Sequence, residues 1–423
     1  QQQEMIKSAR ISAKVDVLPL LNGKISVSSA QIFGTHINIY QPTAESEHNI
    51  QFLIDALASK DTTSSNPLDL RVNSLIIRHS SVSYNRHFIP ETPEKLNPNH
   101  LEVSDISAHI LLKALRQDSI NCQIKKLALK EHSGAVIDKL TLHFEAGRHG
   151  GRLTDFNLVM PNSHLTADSI VATFEAHGNK IKSGTLRFHG AIGKSQIGIS
   201  DLAFLQPAFE GDDRDIVLES RFHGTDGEFT LDHLHAAFNA DVIAKALALN
   251  DSTVARIGNI AIETKGRIDT LGSGNIDIRL NTDAGNLKLL ASADEKHKIQ
   301  GKLLTDTLNA TRILPKANIG RVMADINISG LYDSNEKKAD IKVNGTLPHF
   351  EYNRYTYRNI GLEASYNPDR ITGGIDIDDI NAIVDIDADL ALKGNKHDLI
   401  LYAHIDTLMP KALNLSDKWD EAC

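Results

Sequence analysis

The residues to weigh first are those whose types and spacing could carry a reaction. Gly193-Lys194-Ser195 resembles the end of a phosphate-binding loop, in which backbone N–H groups and a lysine hold phosphate oxygens. The first glycine of that loop is Phe188 here, and strand-like sequence flanks the segment where a helix must open. Glu131-His132-Ser133-Gly134 sets a serine beside a histidine but lacks the first glycine of a nucleophile elbow. Adjacent strand residues point to opposite faces, so no Ser–His contact is expected. Asp376, Asp378, Asp379, Asp385, Asp387 and Asp389 could offer oxygens to calcium. Leu390 stands where a calcium loop needs its turn glycine, however, and Lys396 where it needs a bidentate glutamate. A solvated strand face accounts for that ladder. His233 and His235 share a strand face and could hold a metal, yet no third ligand stands at usable spacing. Cys122 and Cys423 form neither a metal-spaced pair nor a disulfide framework. These readings predict a non-enzyme, with no catalytic residue, no metal site and no cofactor.

The elements that would have to position any site are constrained by composition. The chain has 423 residues and a net charge of −9, with 54 acidic and 45 basic residues. Without a basic cluster, that balance speaks against a nucleic-acid partner. A hydrophobic share of 41% places the chain among folded proteins, and an aromatic share of 5% leaves little material for ring-stacking sugar or base sites. No stretch reaches the roughly 18 apolar residues of a membrane span. Gln1-Gln2-Gln3 opens the chain without an initiator Met or a signal-peptide pattern, which suggests a middle section of a longer protein.

Alternation runs from end to end, as in Ile37-Asn38-Ile39, Ile276-Asp277-Ile278-Arg279-Leu280, Ile326-Asn327-Ile328 and Ile375-Asp376-Ile377. Period two means strands with one apolar and one polar face. Gly272-Ser273-Gly274, Asp226-Gly227 and Asn344-Gly345 read as turns. Helical periodicity is confined to Ile50–Ser59, Asp241–Leu249 and Asp306–Leu314.

A recurring phrase spaces apolar residues by three and then two. It occurs at Val72/Leu75/Ile77, Val103/Ile106/Ala108, Ile124/Leu127/Leu129, Ile137/Leu140/Leu142 and Leu153/Phe156/Leu158. It returns at Ile199/Leu202/Phe204, Leu231/Leu234/Ala236, Ile257/Ile260/Ile262 and Tyr357/Ile360/Leu362. A bulge at the wider step would restore the facing and bend the strand; two short strands joined by a turn are the alternative. A repeat at an offset of 100 matches Asp306-Thr307-Leu308 with Asp406-Thr407-Leu408 and Leu290-Ala291 with Leu390-Ala391. It argues for accretion of similar β-units. The fold expected is all-β: an elongated, curved, repetitive antiparallel sheet forming a U-shaped groove with a few short helices. Residues 1–423 read as one such region, with mobile loops at 61–67 and 85–100 and a seam at 206–215.

Some of these phrases resemble a family. Val17-Leu18-Pro19-Leu20-Leu21-Asn22-Gly23-Lys24-Ile25-Ser26-Val27 looks like the AsmA-like opening, in which an apolar pair precedes a Gly-Lys-Ile strand, and Ala30–Ile39 continues it. Asn49–Asp55 and Leu70–Tyr84 also fit. Phe350-Glu351-Tyr352-Asn353, Tyr357–Leu362 and Gly373-Gly374-Ile375 resemble the repeat of TamB, the inner-membrane subunit of the translocation and assembly module. The resemblance implies a long β-groove (a β-taco) with an apolar interior, in a periplasmic protein anchored to the inner membrane. It also implies a role in outer-membrane biogenesis, with phospholipid as cargo or an outer-membrane β-barrel assembly protein as partner. The present chain is expected to be monomeric.

Acyl chains would line up against the apolar positions of the clearest alternating strands. Those are Phe156, Leu158, Phe204, Ile276, Ile278, Leu280, Ile326, Ile328, Ile375 and Ile377. A closed sandwich core would show the same alternation.

Overall fold

The computed structural model describes residues 4–20, 25–52, 55, 70–92, 95–116, 118–177, 180–247, 252–333, 338–393, 396–417 and 419. The expected loop at 61–67 and most of the helix expected at Ile50–Ser59 lie outside them. Strands make up 69% of the structure and helices 8%, so the fold is all-β. The chain divides into two compact units, residues 1–226 and 227–423.

The first unit opens with β1 (Ile6–Val15), α1 (Val17–Leu20), β2 (Ile25–Gln41), β3 (Leu70–Arg86) and β4 (His100–Arg116). β5 (Ser119–Glu131), β6 (Val136–Gly147), β7 (Gly150–Val159) and β8 (His164–Thr173) follow. A separate hairpin, β9 (Ala176–His177) with β10 (Lys180–Ile181), precedes β11 (Arg187–Gly198) and β12 (Asp215–Thr225). Pairing runs β1-β2-β3-β4-β5-β6-β7-β8-β11-β12. All these pairs are antiparallel except β2–β3, which is parallel and corrects the purely antiparallel expectation. The connection at 42–69 is long enough for the crossover that parallel pairing requires.

The second unit holds β13 (Glu228–Asn239), α2 (Ala240–Ala246), α3 (Ser252–Arg256), β14 (Asn259–Asp269), β15 (Gly274–Thr282) and β16 (Gly285–Ala293). Next come β17 (Lys298–Asn309), α4 (Ala310–Ile313), β18 (Ile319–Asp333), β19 (Lys338–Tyr352) and β20 (Tyr355–Tyr357). β21 (Ile360–Asn367), β22 (Arg370–Asp379), β23 (Ala382–Lys393) and β24 (Lys396–Leu408) close it. Its strands pair antiparallel with their sequence neighbours, β20 and β21 both lying against β19.

The three-then-two phrase is a bulge in six places. Register shifts fall between Val72 and Leu75, Ile124 and Leu127, and Leu231 and Leu234. Leu127 and Leu129 face Leu140 and Ile137, which puts the extra residue on β6. Asp105 and Asp155 supply it in β4 and β7, at φ of 52° and 55°. Elsewhere the phrase means something different. Ile199–Leu202 is a 3-10 turn and Phe204 lies just beyond it, so that segment is not a strand. Ile257 precedes β14, and Tyr357 and Ile360 belong to separate short strands divided by Asn359 at φ 53°.

Other expectations shift as well. Asn344-Gly345 lies inside β19, because a Cβ on Gly345 would stand 2.4 Å from the Asp325 carbonyl oxygen; glycine there admits a close strand approach. Asp306–Asn309 belongs to β17, and only Ala310–Ile313 is helical. The helix expected at Asp241–Leu249 is α2, begun by the Asn239 side chain accepting the Asp241 N–H. Residues 206–215 include a 3-10 turn at Pro207–Phe209 inside the first unit, and the division falls after Asp226. Within the 85–100 segment, Leu96 N–H donates to Phe204 O at 2.8 Å and Arg86 N–H to Asn99 O at 2.9 Å.

The best-buried apolar residues of the second unit collect at one end of its strands. Ala240, Val242, Ala244, Ala284, Ala310, Ala324, Ile360, Ala382, Val384 and Leu413 all lie there, beside α2, α4 and the turn after β24. The opposite strand ends carry exposed Phe229, Ile268, Ile299, Tyr332, Tyr366, Ile371 and Leu399. One end is capped, although Ile380 in the turn between β22 and β23 there is 86% exposed, and the other is open.

Candidate functional site

Cross-strand partners point to the same face of a sheet, so the register fixes which side chains share a surface. In the second unit one row runs Ile278, Leu289, Leu303, Ile326, Gly345, Leu362, Ile375, Ile386 and Ala403, from β15 to β24. A parallel row holds Ile276, Ala291, Gly301, Ile328 and Val343, and a third holds Ile360, Ile377 and Val384. Seven of the ten sequence-predicted residues thus lie on one continuous apolar face: Ile276, Ile278, Leu280, Ile326, Ile328, Ile375 and Ile377. Most are half-buried, while Ile276 and Ile375 are 39% and 46% exposed.

The first unit builds its own apolar face the same way. Val72, Leu112, Cys122, Phe144, Leu153, Ile170, Gly190 and Phe222 form one row. Ile77, Ala108, Leu127, Leu140, Leu158 and Leu165 form the next, with Phe156 opposite Ala167. Phe156 and Leu158 therefore belong to that face. Phe204 does not, because it sits in the turn beside the 3-10 segment, where its carbonyl receives Leu96 N–H. Burial raises the Cys122 thiol pKa above its ordinary value.

Sequence reading missed a 45-residue repeat within the first unit. Val27, Ala30 and Ile32 pair in parallel with Val72, Leu75 and Ile77, and Gly34 and His79 share the left-handed conformation at φ 55° and 48°. The signal was present, since Val27/Ala30/Ile32 carries the same three-then-two spacing. The offset of 100 holds for β17 against β24, where Ile299 and Leu399 both open the apolar face. It fails in β16 and β23. Ala291 and Leu390 share that face, so Leu290-Ala291 and Leu390-Ala391 face opposite ways.

The second unit has concavities on both faces. One of about 470 Å³ is lined by apolar-face residues including Phe229, Ile268, Ile276, Ala293 and Ile299. A larger one, about 920 Å³, lies over the polar face and includes Asp232, Lys265, Arg267, Asp277 and Lys302. Its Arg267 already pairs with Glu228 at 2.8 Å and Lys302 with Asp325 at 3.0 Å, which fits a solvated face.

The reactive-looking residues have structural roles. Ser195 is buried at 2% exposure; its hydroxyl donates to Gly193 O at 2.9 Å and accepts Thr166 N–H at 3.1 Å. Ser133 N–H donates to Glu131 at 2.7 Å within a hairpin turn. Asp389 is clasped by Arg370, whose hydrogen bonds hold the carboxyl below its ordinary pKa. Asp379 accepts Arg358 N–H at 3.1 Å and Asn381 N–H at 3.0 Å. His233 lies in the β13 bulge and His235 pairs with Glu263. Among the described residues no cluster of three His, Cys, Asp or Glu could hold a metal, and no helix is long and apolar enough to cross a membrane. Comparison with family models, curated proteins and solved structures finds no match to this chain.

Proposed function

We propose that this chain is a non-enzymatic conduit whose apolar sheet faces carry phospholipid acyl chains, in a periplasmic bridge serving outer-membrane biogenesis. The observation that carries the reading is the unbroken row from Ile278 to Ala403, mostly half-buried but exposed at Ile375 and Ala403, on a sheet capped at one strand end and open at the other. An apolar surface of this kind, left uncovered, is a binding site or an aggregation hazard. Each methylene moved onto it gains about 0.8 kcal/mol, before the costs of binding are subtracted. The open end leaves a charged headgroup in water. The AsmA-like and TamB resemblance of Val17–Val27 and Phe350–Leu362 supplies the periplasmic setting and the inner-membrane anchorage.

Ile278→Asp and Ile328→Asp test it. Each sets a carboxylate on the apolar row and is expected to abolish transfer of a fluorescent phospholipid between vesicles, with far-UV circular dichroism unchanged. Phospholipid adducts seen by native mass spectrometry should disappear with it. A wild-type chain that purifies monomeric and lipid-free, with Cys122 shielded from thiol reagents in a Cys423→Ser background, would mean a closed core and end the conduit reading.

One feature favours a second role, assistance to outer-membrane protein assembly by strand pairing. β24 pairs only with β23 among the described residues and exposes Leu399, Ile400, Leu401 and Tyr402 at 51–67%. A free, apolar edge is a template for an added strand. Photo-crosslinking from Leu401 separates the two, since lipid adducts support the conduit and unfolded β-barrel clients the scaffold.

A further inference from the structure

We infer that the β1 edge of the first unit, with its α1 corner, docks on an anionic lipid surface. β1 carries Lys7, Arg10 and Lys14 and no acidic residue, in a chain whose net charge is −9. All three cations are exposed, and none makes an ion pair among the described residues. Glu4 precedes the strand, and Asp16, which follows it and interacts with the Lys14 charge, is turned onto β2, where its carboxylate accepts the hydroxyls of Ser26 at 2.7 Å and Ser28 at 2.8 Å.

Large apolar side chains stand among the cations. Ile11 is 61% exposed, Val15 44%, Val17 68% and Leu18 77%. β1 pairs only with β2 among the described residues; Ile11 and Val15 extend the first unit's apolar rows through Ile32 and Ile77 and through Val27 and Val72, while Val17 and Leu18 protrude on the short helical turn at its end. Protruding apolar side chains flanked by cations suit the boundary between headgroups and acyl chains. The side chains enter that boundary while Lys and Arg stay at phosphate level.

β24 of the second unit, which pairs only with β23 among the described residues, sharpens the choice of surface. β24 is as apolar and as exposed as β1, but Asp398 and Asp406 flank its run. An anionic surface therefore selects β1 and rejects β24. Each cation near such a surface strengthens binding about fivefold, so reversing all three should weaken it on the order of a hundredfold or more.

The test is co-sedimentation of the full chain with phosphatidylcholine vesicles, with and without phosphatidylglycerol. Binding is expected only with phosphatidylglycerol, weakening as salt rises. The triple variant Lys7→Glu, Arg10→Glu, Lys14→Glu should lose on the order of a hundredfold in affinity, and Val17→Ser with Leu18→Ser should also weaken binding. Leu399→Ser with Leu401→Ser, on the acidic edge, should bind as the parent does. Ile278→Asp, which is expected to stop lipid transfer, should leave vesicle binding intact, so failure of the conduit reading and failure of docking are separable. The salt series on the unaltered chain needs no variant to fold. Equal binding to neutral vesicles, or a triple variant that binds like the parent, would overturn the inference. No binding to phosphatidylglycerol vesicles would also overturn it and point to an acidic protein partner instead.

Discussion

At the scale of single residues, the polar groups with the richest bonding hold corners together. Asp379 is 5% exposed and accepts the Tyr355 hydroxyl as well as the N–H groups of Arg358 and Asn381, while Asn381 Nδ2 donates to Tyr355 Oη at 2.9 Å. Removing the carboxylate strands three donors in a partly buried corner. Asp379→Ala is therefore expected to cost about 2–4 kcal/mol in urea unfolding. The same network sets a pH dependence. Burial first, and then the bond to Asp379, hold the Tyr355 phenol above its ordinary value of 10. The folded chain binds that proton more tightly than the unfolded one. The stability it contributes is present in full below the ordinary value and lost as pH climbs through the raised one. Burial also raises the neighbouring Tyr357 phenol, so an ultraviolet titration should show both ionising late, with the Tyr355 component moving toward the ordinary value in Asp379→Ala.

At the scale of elements, bulges and close approaches decide which way each strand presents its side chains. Gly190 lies in the apolar row between Ile170 and Phe222, and a Cβ there would stand 2.6 Å from Phe222 Cζ. The ring occupies the space that glycine leaves. Gly190→Ala must displace a packed aromatic and is expected to cost about 1–3 kcal/mol, read as a lower denaturation midpoint with unchanged slope. Asp105 and Asp155 show why spacing alone was informative. Their left-handed backbone absorbs one residue, so Val103 and Ile106, or Leu153 and Phe156, return to the same face. The same spacing at Ile199/Leu202/Phe204 produced a 3-10 turn, and no strand among the described residues pairs with that segment.

At the scale of a whole unit, burial in the second unit is distributed by strand end and not by sheet centre. In the second unit the buried alanines and Leu413 gather at the capped end, while Ile268, Ile299, Ile371 and Leu399 are exposed at the other. Local opening should follow that gradient. Amide hydrogen exchange is expected to be slowest near Ala284, Ala310 and Ala382 and faster, by about tenfold or more, near Ile268, Ile299 and Ile371. Uniform protection along β14, β17 and β22 would contradict an open end.

Much of this was legible in the chain itself. Period-two alternation declares an all-β protein, because only a pleated strand turns every second side chain to one side. The same alternation puts Ile276, Ile278 and Leu280, or Ile375 and Ile377, on one face without reference to any partner. Pairing decided the rest. Whether Ile278 and Ile375 share a face depends on the register of every strand between them, and a one-residue slip anywhere would reverse it. The parallel β2–β3 pair, the reversed facing of Leu290 and Leu390, the loss of Phe204 to a turn, and the gathering of small buried residues at one strand end all arise from contacts distant in sequence. Local pattern sets which side chains can be apolar neighbours; only hydrogen-bonded register and end-capping decide which surfaces are buried and which stay open.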